Sequence, residues 1–521
     1  MSFNLSRLIA VSLIALAAIK SAGLAAEAKK SPDKPNILII MVDDMGYSDL
    51  GCYGSEIKTP NIDRLAEGGL KFANMYNTAK CYPSRACLQT GVYYQRTDLD
   101  FKNTATLGEV LRPAGYTTLW SGKHHAKFNP VSRGYDRYYG MIGGVENHFK
   151  PKQDASKGWA LDGEEAATRD SGFYSTDAYT DKALKWLDEY NETNKPFLLN
   201  IAYTAPHWPL QAWPEDISKY KGVYDAGYAP IRNARYERQI KLGLVDPKTT
   251  SLSAFDLEKK SEKNWDDLSS VAKKKQSALM EIYAAMVDRV DHNIGRIVQR
   301  LKDQGKLDNT LILFMADNGG CAENPKMDDA DQNAPLGSAE SFLSYGSGWA
   351  SVSNTPLRRW KQDSFEGGIS TPLVAHWPAG FKPLADWNRE AAHLIDIMPT
   401  VIAVAGATYP GESKQAKIPP LDGVSLMPAF LGQSIVRSGP LFFQFGKGSA
   451  VNEGQWKLVR NTVNWELYNK TTDRSEIHNL ASKYPDVVRK LDAQWQAWWL
   501  SSTGSVWSGK VGKDGLKGGG E

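Results

Sequence analysis

The chain alternates between continuous apolar runs and amphipathic stretches, and the runs end abruptly in polar residues. NILIIMV (36–42) is β-rich and apolar at every position, as expected of a strand buried on both faces of a parallel sheet. It stops at Asp43 and Asp44. NTLILFMADNGG repeats the design, with a strand over 311–315 followed by Asp317 and Asn318. GYTTLWSGKHH runs from a short strand into Lys123, His124 and His125, and KPFLLNIAYTAPHWP from another into His207. Ligand sites of open α/β sheets lie beyond the carboxyl ends of the strands, so four runs deliver polar groups to one expected edge. Between them, TPNIDRLAEGGLKF and the long SALMEIYAAMVDRVDHNIGRIVQRLKDQGK, ending near Gly305, have apolar residues at helical spacing.

The pattern predicts an α/β fold with a large, mostly parallel central sheet flanked by helices over 27–420. After about Leu421 it changes. LFFQF, SAVNEGQWKLVRN and WELYNK predict short antiparallel strands, and a Trp-rich amphipathic helix follows over 485–500, giving a smaller α+β subdomain over 421–500. The charged segment 258–267 is expected to be an exposed loop. The Gly-, Ser- and Asn-rich segment 322–354 is expected to be a long irregular one. The Gly- and Lys-rich residues 501–521 are expected to form a disordered tail.

Residues 1–26 carry a basic Arg7, the apolar LIAVSLIALAAI and a small-residue cleavage region, the layout of a secretory signal peptide. The run is too short to span a bilayer, and no later window is longer. The mature protein is therefore expected to be periplasmic or secreted, without a membrane anchor. A net charge of +3 over 521 residues, with no basic stripe, argues against a nucleic-acid binder. In an oxidising compartment the four cysteines, Cys52, Cys81, Cys87 and Cys321, are expected to pair, and Cys81 is first read as half of a disulfide.

Asp43, Asp44, Asp317 and Asn318 offer only hard oxygens, which suit Ca²⁺ or Mg²⁺. Either pair alone would be an ordinary turn; both, after matched buried strands, point to a metal site. Arg85, Lys123 and Lys361 add the cations that an anionic ester requires beside such a metal. His125 and His207 follow strands and suit acid–base work, whereas His148, His292, His376, His393 and His478 are assigned structural or surface roles. His124 stays open. The residues alone thus reach a metal-assisted hydrolase of an anionic ester.

The stretch CYPSRACLQTG (81–91) matches C-x-P-S-R-x-x-L-x-T-G, the signature of the formylglycine-dependent sulfatases. MVDDMGYSDLGCYG, GYTTLWSGKHH, FMADNGG and RWKQDSFEGGISTP resemble further segments of the family, so the resemblance spans most of the mature chain. It implies an alkaline phosphatase-like fold. It also implies that a maturation enzyme converts Cys81 to Cα-formylglycine, whose hydrated form attacks the sulfur of a sulfated small molecule or glycan. Asp43, Asp44, Asp317 and Asn318 would hold one Ca²⁺, in preference to Mg²⁺, that also contacts residue 81. Arg85 and Lys123 would steady the hydrate and the sulfate, His125 would be the base, and His207 and Lys361 would bind sulfate and protonate the leaving oxygen. If Cys81 is so converted, Cys52, Cys87 and Cys321 form at most one disulfide.

The chain departs from the family where an aromatic and Leu-Gly are usual, reading Lys123-His124-His125-Ala126, so either histidine could be the base. Phe365 also stands where similar arylsulfatases often have His. Two other functions stay open: a phosphomonoester or phosphonate monoester hydrolase, and a metal-dependent glycan-binding protein with Cys81 in a disulfide. Tyr82, Tyr203, Trp208, Trp213 and Trp349 are candidates to stack on sugar rings.

Overall fold

Strand β1 (Asn36–Val42) is buried along its whole length, and its alternate side chains feed two different cores. Leu38, Ile40 and Val42 face one core, and Ile37, Ile39 and Met41 face the other. A strand covered on both faces needs apolar residues at every position, which is why the run does not alternate.

The computed structural model describes residues 34–509, apart from 98–99, 102, 152–158, 163, 166–171, 258–261, 326–330, 332 and 412–417. The segment expected to be a signal peptide lies outside the described residues. So do part of the expected loop at 258–267 and the tail from 510 onward.

The other strands of the central sheet are β2 (Leu70–Tyr76), β3 (Thr117–Gly122), β4 (Arg137–Met141), β5 (Trp159–Leu161), β6 (Glu164–Glu165), β7 (Phe197–Ala202), β8 (Thr310–Ala316), β9 (Ser370–His376) and β10 (Ala392–His393). They make a 10-stranded sheet in the order β10-β2-β9-β8-β1-β7-β3-β4-β5-β6. The centre, β8-β1-β7-β3-β4, is parallel; β9 runs antiparallel to both β8 and β2, and β5 and β6 close the far edge antiparallel. Because β8, β1, β7 and β3 are parallel and in close register, their carboxyl ends fall side by side.

Helices α1 (Pro60–Glu67), α2 (Cys81–Thr90), α3 (Ser175–Glu189) and α4 (Ser270–Asp303) flank the sheet. The 34-residue α4 is capped by Ser269, whose hydroxyl accepts from the Ala272 N–H, and it buries Met280, Tyr283, Val287, Val290 and Ile294 in the first core. A second, four-stranded antiparallel sheet follows, β11 (Leu441–Phe445), β12 (Gly448–Glu453), β13 (Trp456–Arg460) and β14 (Glu466–Asn469). Its Phe443, Val451, Leu458 and Leu467 join the second core with Ile37 and Ile39 of β1.

Two segments differ from expectation. Residues 322–354 are not irregular throughout, because Gly346–Ser353 forms a buried helix, α5. Its composition disfavours a helix, but Trp349 anchors it: the ring meets Tyr224 and Tyr228 edge-on, and Nε1 donates to the Gln276 carbonyl at 2.8 Å. The Trp-rich helix α6 runs Pro485–Thr503, past the expected end at 500, and closes on Gly504 in the left-handed region. All four cysteines are free thiols, so the expected pairing of Cys81, or among the other three, is absent from the structure.

Candidate active site

The site forms where the parallel strands end. β1 runs into Asp43 and Asp44, and β8 into Asp317 and Asn318. The Asp317 N–H donates to the Val42 carbonyl at 3.1 Å and the Asp44 N–H to the Asp317 side-chain Oδ1 at 3.3 Å, so the two ends are tied by one backbone and one side-chain bond. Asp44 takes φ 65°, a left-handed turn that aspartate tolerates better than most residues and that separates the directions of the two neighbouring carboxylates.

All four side chains are at most 1 % exposed. Asp43 Oδ2 accepts from Lys123 Nζ, and Asp317 Oδ2 accepts from Arg85 Nε and Nη2 at 2.9 and 2.7 Å. Lys361 Nζ lies 2.8 Å from the Asp44 carboxylate. The Asn318 amide group donates to Asp44 Oδ1 at 2.7 Å and to the Gly319 carbonyl at 2.9 Å, which turns its own oxygen away. Asp43 Oδ1 and Asn318 Oδ1 are then buried with no hydrogen-bond donor. Buried oxygens without donors are costly. Three carboxylates and one amide at such a spot fit a hard divalent cation bound through oxygen. Asp43, Asp44 and His207 also bring candidate ligand atoms within 4.8 Å of one another.

Cys81 opens α2, preceded by Lys80 in an extended conformation with no side-chain cap. The N-terminal end of a helix is a favourable environment for negative charge. Arg85, one turn on, donates Nη1 to the Lys123 carbonyl at 3.1 Å and locks α2 to the end of β3.

β3 also settles the environment of the adjacent histidines. Backbone pairing persists beyond Gly122: Lys123 N–H bonds to Ala202, His124 N–H to Met141 and His125 N–H to Ile142. At His125 the backbone leaves the extended path, with φ 60° in the left-handed region, and the two neighbouring side chains part. His125 lines the cavity beside Cys81 and meets Tyr82 edge-on at 5.5 Å. His124 turns away into a cage of Trp120, Phe128, Phe101 and Tyr138, where neither ring nitrogen has a partner. Burial drives its pKa down to about 3, with Arg85 and Arg133 adding to the effect. Burial, then Lys123 and Arg85, likewise hold His125 well below the usual histidine range.

His207 follows β7. Its Nε2 lies 3.1 Å from Lys361 Nζ and 3.4 Å from Asp44 Oδ2. Burial lowers its pKa to about 4, Lys361 opposing the pull of Asp44. Lys361 is held by its backbone, its N–H donating to the Gly320 carbonyl at 3.1 Å while Gln362 N–H donates to Ala79 at 2.7 Å. Burial disfavours its charge, but Asp44 and its other acidic neighbours outweigh that and raise the ammonium's pKa well above normal.

Lys80, Cys81, Tyr82, His125, His207 and Trp208 line a cavity of about 500 Å³. A larger cavity, about 1250 Å³, is walled by Phe149, Phe173, Trp213 and Leu336. It gathers none of the strand-end groups, so chemistry, not size, marks the smaller one. Of the aromatic candidates, Tyr82 and Trp208 face the site and Trp213 the larger cavity. Tyr203 and Trp349 are fully buried in the first core and unavailable to a ligand. His148, assigned a structural or surface role from the sequence, supports His207 from behind, its Nε2 3.2 Å from the His207 carbonyl. One residue escaped the sequence reading. Glu323, on the loop after β8, pairs with Lys80 at 2.8 Å; an acidic residue five positions past Asn318 was the available signal.

A sequence model of the Sulfatase family matches residues 35–407. The chain is 31 % identical over 523 residues to an uncharacterized sulfatase of Schizosaccharomyces pombe, covering 89 % of this chain and 93 % of that one. It is 32 % identical over 435 residues to an arylsulfatase of Klebsiella aerogenes, covering 76 % and 91 %. The crystal structure of Ps i-CgsB superposes with a TM-score of 0.66 at 27 % identity, covering 90 % of this chain and 93 % of that one. The same protein has been crystallised with k-i-k-neocarrahexaose. With most of its length matched in sequence and in fold, the chain belongs to the sulfatase family and is a sulfuric ester hydrolase.

Proposed function

We propose that the protein is an exported sulfatase that cleaves a sulfate monoester of a carbohydrate, with Cys81, matured to formylglycine, as its nucleophile. The observation that carries this reading is the convergence on one cavity of Cys81, His125 and His207, directly above the buried Asp43–Asp317 cluster. A matured residue 81 would supply a hydrated aldehyde, with one hydroxyl as the nucleophile for sulfur and a second through which inorganic sulfate could be released. Asp43, Asp44, Asp317 and Asn318 would hold a Ca²⁺ ion, which would supply charge neutralisation for the sulfate.

The chain's own groups divide the rest. Arg85 and Lys123 spread positive charge along the floor and oppose the burial that, with Asp43 beside it, pushes the Asp317 carboxyl up to about 7. Although burial opposes it, Lys123, His207 and Arg85 hold the Asp43 pKa well below the carboxylate range. His125, kept neutral by burial, is fitted to take a proton from the hydrated residue 81. Lys361, kept charged by Asp44, binds sulfate oxygen and supplies a proton toward the leaving oxygen, with His207 Nε2 as its neighbour at 3.1 Å. Tyr82 and Trp208 at the mouth are suited to the faces of a sugar ring. The carbohydrate class is further supported by the oligosaccharide complex of Ps i-CgsB.

Export through the segment 1–26 and conversion by a maturation enzyme complete the proposal. To test it, sulfate release from para-nitrophenyl sulfate and from sulfated oligosaccharides is measured before and after chelation. Activity lost on chelation and restored by Ca²⁺ better than by Mg²⁺ is expected. Undiminished activity in chelator contradicts the metal assignment, and no sulfate release from any ester contradicts the whole reading.

A further inference from the structure

Glu323 is an acidic group in a cavity built for an anion. Its Oε1 accepts from Lys80 Nζ at 2.8 Å and from Gln362 Nε2. Its Oε2 lies 3.1 Å from Trp208 Nε1, 3.4 Å from Cys321 Sγ and 3.5 Å from Lys361 Nζ. These donors fill the roughly four lone-pair positions of a carboxylate, which leaves little capacity to accept from a substrate hydroxyl. What Glu323 contributes to the cavity is charge and the placement of its donors. Lys80 stands at the start of the nucleophile helix, Lys361 among the proposed sulfate ligands and Trp208 at the mouth.

We infer that Glu323 is a specificity-determining residue that, by offsetting Lys80 and tethering Lys361, tunes the cavity to a monoanionic ester and against a dianionic one. The inference rests on the reading that this cavity holds the ester. A sulfate monoester carries one negative charge at neutral pH, whereas a phosphate monoester, with a second pKa near 6, carries nearly two. The carboxylate repels the second twice as strongly as the first. At an effective dielectric of about 20 the extra unit of charge is worth about tenfold in selectivity at roughly 12 Å and more at shorter range, so about tenfold is a lower bound. Without Glu323 the Lys80 charge would stand uncompensated and would favour phosphate.

The test is a charge cycle on the full-length matured protein. It compares kcat/KM for para-nitrophenyl sulfate and phosphate in wild type, Glu323→Gln, Lys80→Met and the double variant. Glu323→Gln is expected to raise the phosphate-to-sulfate ratio about tenfold or more, Lys80→Met to lower it by a similar factor, and the pair to return it to within about threefold of wild type. Equal losses on both esters in Glu323→Gln would mean a purely structural role and would overturn the inference alone. Wild-type protein that turns over neither ester would overturn the underlying reading and the inference with it.

Discussion

Two of the buried charge clusters among the described residues are built for different ends. The first is the strand-end group of Asp43, Asp44, Asp317, Arg85, Lys123 and Lys361. The second joins the C-terminal sheet to the segment just after Lys361. In it Lys457 of β13 lies 2.9 Å from Glu366 and 2.6 Å from Glu476, Glu476 accepts the Glu366 N–H at 2.8 Å, and Arg474 bonds Ser370 Oγ at 3.0 Å. Glu366 and Lys457 are fully buried. The second cluster pairs its charges across elements far apart in sequence. The second also holds a buried oxygen without a hydrogen-bond donor, Glu476 Oε1, but Lys457 Nζ stands 2.6 Å from it, whereas the first leaves Asp43 Oδ1 and Asn318 Oδ1 unmet beside a cavity. Burial alone therefore does not mark a site; unmet acceptors next to an opening do.

The comparison breaks most visibly at the nucleophile. Cys81→Ala is expected to lower kcat for sulfate esters on the order of 10⁶-fold, the scale of nucleophile deletions, while the denaturation midpoint stays near that of wild type. A residual rate within tenfold of wild type would remove Cys81 from the chemistry.

Lys457→Met is expected to do the reverse. It leaves Glu366 and Glu476 facing each other without their shared cation and should cost about 3–5 kcal/mol of stability in denaturant unfolding, with the folded fraction retaining turnover. A stability loss under about 1 kcal/mol would show that the second cluster is not a structural clamp.

The adjacent histidines sharpen the contrast within one strand end. His125→Gln is expected to reduce kcat by about 10²- to 10³-fold. His124→Phe should keep activity within about threefold and gain slightly in stability, because it removes two buried ring nitrogens without partners. The opposite ranking in steady-state kinetics would transfer the base to His124.

A pH dependence away from both clusters belongs to Glu146, a buried carboxyl whose donors, Trp159 and Tyr179, are neutral. Burial raises its pKa from 4.5 to about 8. The unfolded chain therefore holds fewer protons than the folded one in that interval, and stability falls as pH rises from about 4.5 to 8. Glu146→Gln should flatten that fall in unfolding curves taken across the interval; an unchanged slope would place the pH dependence elsewhere.

Much of this arrangement was legible in the sequence where chemistry follows local pattern. β1 and β8 were readable because strands covered on both faces must be apolar throughout, and Asp43, Asp44, Asp317 and Asn318 because they end those runs. The rest depends on tertiary packing. Helix α5 hides in a Gly- and Ser-rich segment because Trp349 burial, not propensity, makes it. β9 sits antiparallel between β8 and β2, and nothing in STPLVAH announces its direction. Glu323 reaches Lys80 across 243 positions and Glu366 reaches Lys457 across 91, distances that no local pattern encodes.

The central claim, that residue 81 works as formylglycine, is tested most directly by the mass of the tryptic peptide carrying Cys81 from protein made in its native host. The account predicts an aldehyde in place of the thiomethyl group, reactive toward a hydrazide. A thiol that alkylates fully with iodoacetamide, in a preparation that releases sulfate, would contradict it.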